Sequence, residues 1–214
     1  MMSSHNLQIY KKNHIFSGNP FNLTTTNMAY VRQVCPTNVT LSWIVHGWSE
    51  GFYITKWVPL VLSSTLKYAG GCVVFMDYSA FSVMAYGDLV NRYFFLRDVL
   101  VNTMKLFGNY NMMHVFGFSF GARLAIGAGN NITNLNNGVP QIPRMDLCEP
   151  AGPNFASTDV GFSPAKKAAT LVQVIDTNAF NYGTGIFDAH INFKMGHCGN
   201  WQDGQGSPPM VWRI

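Results

Sequence analysis

HVFGFSFGARLAIGAG, from His114 to Gly129, passes from a short apolar run through Gly117-Phe118-Ser119-Phe120-Gly121 into small and apolar residues. The run His114 to Phe118 has the length and composition of a strand buried in a sheet, and Phe120 to Ala128 suits a helix packed tightly on it. Between the two the chain must turn within a few residues. The glycines permit this, because any larger side chain would clash with the returning helix. Such a strand-turn-helix elbow lifts a hydroxyl above the sheet, which makes Ser119 the candidate nucleophile. G-x-S-x-G alone says little in a chain with 20 glycines; the strand before it and the helix after it carry the reading.

Working outward, strands are expected at Leu7–Tyr10, Val39–Val45 (VTLSWIV), Cys72–Met76 (CVVFM), Arg144–Cys148 and Leu171–Ile175. Helical spacing marks Trp57–Tyr68, ended by Gly70-Gly71, and Leu89–Phe107, with Leu96, Val99, Leu100, Thr103 and Leu106 on one face. Ser17–Thr26 reads as loop. Strands alternating with helices predict one α/β domain over residues 1–214, with a largely parallel central sheet flanked by helices.

Hydrophobic residues make up 48% of the 214 and charged residues 11%, a balance suited to elements buried on both faces. The net charge of +4 is scattered, with no Lys/Arg run beyond pairs, so no nucleic-acid footprint is present. No segment reaches the length of a transmembrane helix, and Met1 to Lys12 lacks the apolar core of a signal peptide. The four cysteines, Cys35, Cys72, Cys148 and Cys198, allow three pairings, among which the sequence does not choose. His197-Cys198 lacks partners at ligand spacing, so no metal site is expected.

Two further segments belong with the elbow. His46-Gly47-Trp48 follows a buried strand, where a loop can lend a backbone N–H to an oxyanion hole; the second donor would be the N–H of Phe120. His46 itself reads as a buried histidine bonded to backbone, not as a base. At Asp146-Leu-Cys-Glu149-Pro-Ala-Gly-Pro153 a strand ends in a carboxylate and a rigid turn. An acid there can orient a histidine beside the serine. Glu149 immediately precedes the PAGP turn, whereas Asp146 lies three residues earlier and faces the other side of an alternating strand.

IVHGW, VVFMDY, HVFGFSFGARLAIGAG, IPRMDLCEPAGPNF and LVQVIDT, in this order and spacing, resemble the pancreatic-lipase family. That family comprises neutral lipases, phospholipases A1 and the yolk proteins of higher flies, and the resemblance runs from about Leu7 to about Gly204. It implies an α/β-hydrolase fold and a secreted protein that meets lipid or phospholipid at a lipid–water interface without a cofactor. It also implies Ser119 as nucleophile, Glu149 as triad acid, and Trp48 and Phe120 as oxyanion donors in the hydrolysis of carboxylic esters of lipids.

Four departures stand out. Phe118 and Arg123 replace two non-catalytic histidines of the family's elbow motif, Glu149 replaces its Asp, and Asp176 replaces a non-catalytic His. The fourth is the general base. Ala189–Phe193 matches the family strand and Gly196–Gly204 its following turn, but the lid and the C-x-H that supplies the base do not follow before Ile214. His190 and His197 are the histidines after Glu149, and His190 is the candidate substitute base. Two alternatives to an active enzyme follow: a non-catalytic lipid-binding or storage protein on the same scaffold, or a C-terminally truncated piece of a lipase.

Overall fold

The computed structural model describes residues 6–11, 21–22, 28–178, 182–184 and 188–196. Among them, eight strands form one sheet: β1 (Asn6–Lys11), β2 (Phe21–Asn22), β3 (Leu41–Val45), β4 (Cys72–Asp77), β5 (Met113–Phe118), β6 (Arg144–Cys148), β7 (Leu171–Asp176) and β8 (Ile191–Lys194). Their order is β2-β1-β4-β3-β5-β6-β7-β8. Strands β3 to β8 are parallel, while β1 runs antiparallel to β4 and β2 antiparallel to β1. This is the expected α/β-hydrolase arrangement, with each parallel step made by a crossover. The strand β2 falls within the expected loop Ser17–Thr26, where a two-residue pairing leaves no periodicity to read.

Burial explains why the central strands read as unbroken apolar runs. All five residues of β3 and the first five of β4 are buried, because helices lie on both faces there. On one face, helix α2 (Trp57–Tyr68) sets Val58, Leu62 and Leu66 against Ile44, Val73 and Phe75. This helix has no side-chain cap at Lys56, so its stability rests on that face, at ~1.5–3 kcal/mol per buried side chain. On the other face, Trp43, Val74, Val115, Leu147 and Val174 join the core contributed by the later helices.

The helix expected over Leu89–Phe107 is two. Helices α3 (Ser79–Ser82) and α4 (Tyr86–Asn91) lead to Arg92, where the backbone leaves the helical region (φ −96°, ψ 1°), and α5 (Tyr93–Phe107) restarts at once. Arg92 N–H bonds Leu89 O at 2.9 Å, the tightened closing turn common at helix ends. The register survives the break, so periodicity could not reveal it. The buried face of α5 is Tyr93, Leu96, Leu100, Val101, Thr103, Met104 and Phe107; Val99 and Leu106 are only half-buried. Tyr93, Val101, Met104 and Phe107 thus complete the buried stripe.

Helix α1 (Met28–Val34) was not expected, since it lacks an acidic first turn. It is tied to the sheet by a disulfide between Cys35 and Cys72. Cys148 is free, and His197, Cys198 and the turn after Gly196 lie outside the described residues. The bridge closes a 37-residue separation. Replacing both cysteines by Ala should therefore cost about 4 kcal/mol in urea unfolding. Midpoints unchanged under reducing and oxidising conditions would show the bridge to be idle.

Candidate active site

Ser119 stands between β5 and α6 (Phe120–Leu135), at the tight strand-to-helix turn expected of it. Its φ of 54° and ψ of −120° lie in a region that side chains rarely occupy, at a cost of about 1–3 kcal/mol. Three backbone bonds hold it there. Its N–H donates to Cys148 O (3.0 Å), and its carbonyl accepts from Ala122 N–H (3.1 Å) and Ala151 N–H (3.2 Å). The elbow also depends on Gly121, where a Cβ would lie 2.2 Å from His46 O and 2.3 Å from Val45 O.

The loop after β3 packs directly against this serine. A Cβ on Gly47 would come within 2.9 Å of the Ser119 Cβ. His46 is fully buried, stacked on Tyr78 at 4.0 Å. Its Nδ1–H donates to Gly47 O (2.9 Å), Nε2 accepts from Tyr78 N–H (3.2 Å), and the Tyr78 hydroxyl donates to His46 O. With both ring nitrogens engaged, His46 is structural, as expected. The Trp48 indole donates to Met84 O (2.7 Å), and its backbone N–H has no acceptor among the described residues. Phe120 N–H opens α6 and has no acceptor within the helix. Two N–H groups thus remain available beside Ser119, one on the loop after β3 and one at the start of α6.

Glu50, which the sequence reading missed, lies beneath that loop. It is fully buried, and its Oε2 accepts Gly47 N–H (2.6 Å) while Oε1 accepts the Trp57 indole N–H (2.7 Å). Burial raises its carboxyl above the usual range, against the pull of these two bonds. An acid three residues beyond Gly47 was the one sequence signal, and spacing alone gave it no partner.

Glu149 follows β6 with a φ of 45°. The Ser119 backbone binds Cys148 O and Ala151 N–H on either side of it, which draws the two candidate residues together. Glu149 Oε2 accepts Thr177 N–H (2.5 Å), the Thr177 hydroxyl (2.6 Å) and Asn178 N–H (2.6 Å). Its Oε1 is buried and has no hydrogen-bond partner among the described residues. By contrast, Asp146 is committed elsewhere on the sheet, bonded to His114 Nε2 (2.7 Å) and Arg144 Nε (2.9 Å). Burial raises its carboxyl, but those two partners outweigh burial and hold it below the usual carboxylate range.

His190 is not brought to Ser119. Its Nδ1 accepts Val172 N–H at 3.0 Å, near the start of β7. Ser119 instead adjoins Cys148, which pairs with Ile175, three residues further along β7. The two rows are therefore roughly 10 Å apart along the strands. His197 lies outside the described residues.

Asp176 closes β7 at 1% exposure. Burial, then the charge of nearby Glu149, raises its carboxyl from 3.8 to about 6, despite Lys194 and Arg123. The native state thus binds this proton more tightly than the unfolded chain, so stability falls as pH rises from about 4 to about 6. An uncharged Asp176→Asn variant is expected to be more stable at pH 8 by about 3 kcal/mol, with the gain vanishing below pH ~4. Urea unfolding at the two pH values tests this; equal gains at both would mean the ionised carboxylate is not the cause.

Arg123 is also buried, with Nε donating to Ala151 O (2.7 Å) and the guanidinium over the Phe155 ring. Burial lowers its pKa to about 10, so it stays charged at neutral pH. It lines a cavity of about 540 Å³ with Pro153, Phe155, Phe162, Ser163 and Asp188, beside the elbow helix and not at Ser119 itself. Among the described residues, no group of three or more His, Cys, Asp and Glu side chains could hold a metal ion. No helix there is long and apolar enough to cross a membrane.

Over 179 residues, 78% of the chain, the sequence is 26% identical to a lipoprotein lipase of Gallus gallus. Over 172 residues, 75% of the chain, it is 27% identical to the lipoprotein lipase of Homo sapiens. The matches take in 34% of each relative, so the chain spans about a third of the length of these curated relatives. No family model matches. Among solved structures, a lipase-esterase related protein from Clostridium acetobutylicum ATCC 824 aligns with a TM-score of 0.44 at 9% identity, covering 78% of this chain and 90% of that one. A putative hydrolase of the alpha/beta superfamily from Xanthomonas campestris aligns at 0.43 and 16%, covering 64% and 70%. The lipase resemblance carried by the motifs is borne out by the curated relatives.

Proposed function

We propose, from this similarity to lipoprotein lipases and from the strained elbow at Ser119, that the chain carries the serine nucleophile of a carboxylic-ester hydrolase acting on lipids. Ser119 Oγ would attack the ester carbonyl, and the N–H groups of Trp48 and Phe120 would receive the developing oxyanion. Glu149 would hold an imidazole N–H on its open Oε1, the imidazole acting as general base. The single observation that carries this reading is the φ of 54° at Ser119, kept in place by bonds to Cys148, Ala122 and Ala151. Strain of this kind is retained where the backbone must present a side chain.

A lipid substrate is supported by the surroundings of the loop. Trp48, Ile54, Val83 and Met84 are exposed apolar side chains on two adjoining loops, linked by the Trp48–Met84 bond and by Ser49 N–H on Ser82 O. An apolar rim beside the candidate nucleophile suits contact with a lipid surface. Secretion, and a preference for phospholipid or for triacylglycerol, would follow those of the lipase relatives and belong to the same proposal.

A second reading, lipid binding without turnover, is favoured by one observation: no histidine among the described residues meets Ser119 or Glu149 Oε1. The deciding experiment compares wild type with Ser119→Ala on short-chain esters and on phospholipid vesicles. Turnover abolished by Ser119→Ala supports hydrolysis. Vesicle binding that survives in both, with no Ser119-dependent turnover, supports the binding reading.

A further inference from the structure

We propose that Glu50 is a positioning residue of the oxyanion hole, fixing the peptide groups that set the direction of the Trp48 N–H on the loop packed against Ser119. The proposal rests on the hydrolase reading above and extends it to a residue that makes no contact with substrate.

The Trp48 N–H belongs to the Gly47–Trp48 peptide, which is planar and trans, as no peptide bond in the described chain is cis. Its direction is therefore opposite to that of Gly47 C=O, and that carbonyl accepts His46 Nδ1–H at 2.9 Å. The preceding peptide is fixed at both ends as well: His46 O accepts the Tyr78 hydroxyl, and Gly47 N–H donates to Glu50 Oε2 at 2.6 Å. Gly47 can thus rotate about neither flanking bond without breaking one of these contacts. Its Cα already lies against Ser119, as the 2.9 Å approach of a built Cβ shows.

Glu50 is itself immobilised. Its second oxygen takes the Trp57 indole N–H at 2.7 Å, its main-chain carbonyl takes the Ser82 hydroxyl at 2.5 Å, and none of its surface reaches solvent. Both carboxylate oxygens face N–H donors, so the site fits a group that is acceptor-only. A buried carboxylate is costly to keep, and a loop staple could be made from neutral groups. What the carboxylate adds is a short, charge-assisted bond on the peptide next to the oxyanion donor, and rigid donors are what transition-state stabilisation requires.

Three variants test this: Glu50→Gln, Glu50→Asp and Trp57→Phe. Glutamine keeps the volume but must turn an NH2 toward one of two N–H donors. Trp57→Phe releases only the other oxygen and serves as the control for lost packing. Where wild type shows Ser119-dependent turnover, with imidazole added if needed, Glu50→Gln should lower kcat about 10–100-fold with KM within about twofold. Trp57→Phe should lower kcat by less than about threefold at a similar loss of Tm, and Glu50→Asp should recover part of the loss. A kcat loss that merely follows Tm across the three variants, or an unchanged kcat in folded Glu50→Gln, overturns the role. If wild type shows no such turnover, the hydrolase reading fails, while the positioning is still read directly. Amide exchange at Gly47 and Trp48 should then quicken about tenfold or more in Glu50→Gln, with Ile44 unchanged. Unaltered exchange at Gly47 would overturn the positioning itself.

Discussion

Free imidazole is expected to raise ester hydrolysis by the 214-residue chain about 100-fold over Ser119→Ala in the same buffer, the low end of what general-base catalysis contributes. A serine hydroxyl is a poor nucleophile until a base takes its proton, and losing a triad histidine costs about 10⁶ in kcat in the well-measured subtilisin case. Among the described residues no imidazole reaches Ser119: His46 has both nitrogens engaged, His114 is bound to Asp146, and His190 is anchored at the start of β7. The proposed site otherwise comprises the strained Ser119, the N–H groups of Trp48 and Phe120, and the buried Glu149 Oε1, which has no hydrogen-bond partner among the described residues. An added imidazole would donate one N–H to Glu149 and accept the Ser119 proton on its other nitrogen. The gain should rise as the buffer passes through the imidazole pKa of about 6.5, because only the neutral form is a base. Glu149→Ala should lose most of it. Equal rates in wild type and Ser119→Ala at every imidazole concentration would remove Ser119 from the chemistry.

Gly121→Ala is expected to be a severely damaging single methyl, at about 4 kcal/mol or more. Overpacking usually costs ~1–3 kcal/mol, because neighbouring side chains give way. Here the added carbon meets backbone oxygens, His46 O at 2.2 Å and Val45 O at 2.3 Å, and neither can swing aside. Val45 belongs to the central buried strand β3, and His46 O is also held by Tyr78. The clash would push α6 away from β3 and pull the Ser119 elbow with it. With typical domain stabilities of ~5–15 kcal/mol, such a variant is marginal at best. Gly87→Ala is the control: nothing lies within 4 Å of its would-be Cβ, and it sits inside α4. That change should stabilise by up to about 1 kcal/mol. A urea midpoint for Gly121→Ala within error of wild type would mean that the elbow is looser than its contacts indicate.

The strands and the elbow were readable because their signals are local. An apolar run such as CVVFM records burial on both faces within a few residues, and the glycines around Ser119 record a turn that nothing larger allows. The break at Arg92 left no such trace, since the helical register continues across it.

What depended on distant residues meeting had to wait for the fold. Cys35 finds Cys72, and not Cys148, because α1 is laid against the start of β4. Asp176 acquires its raised pKa first from burial and then from Glu149, which the pairing of β6 with β7 sets beside it. Glu50 gains its two N–H partners only when Gly47 and Trp57 converge on its carboxylate oxygens. His190 keeps the right chain order for a base, yet pairing with Val172 holds it at the wrong end of the strand. Periodicity and turn chemistry are written within one or two helical turns of sequence, so local sequence order could specify the layers and the elbow. Side-chain partnership across strands is set by sheet register and crossover packing, which long-range burial decides and local sequence does not.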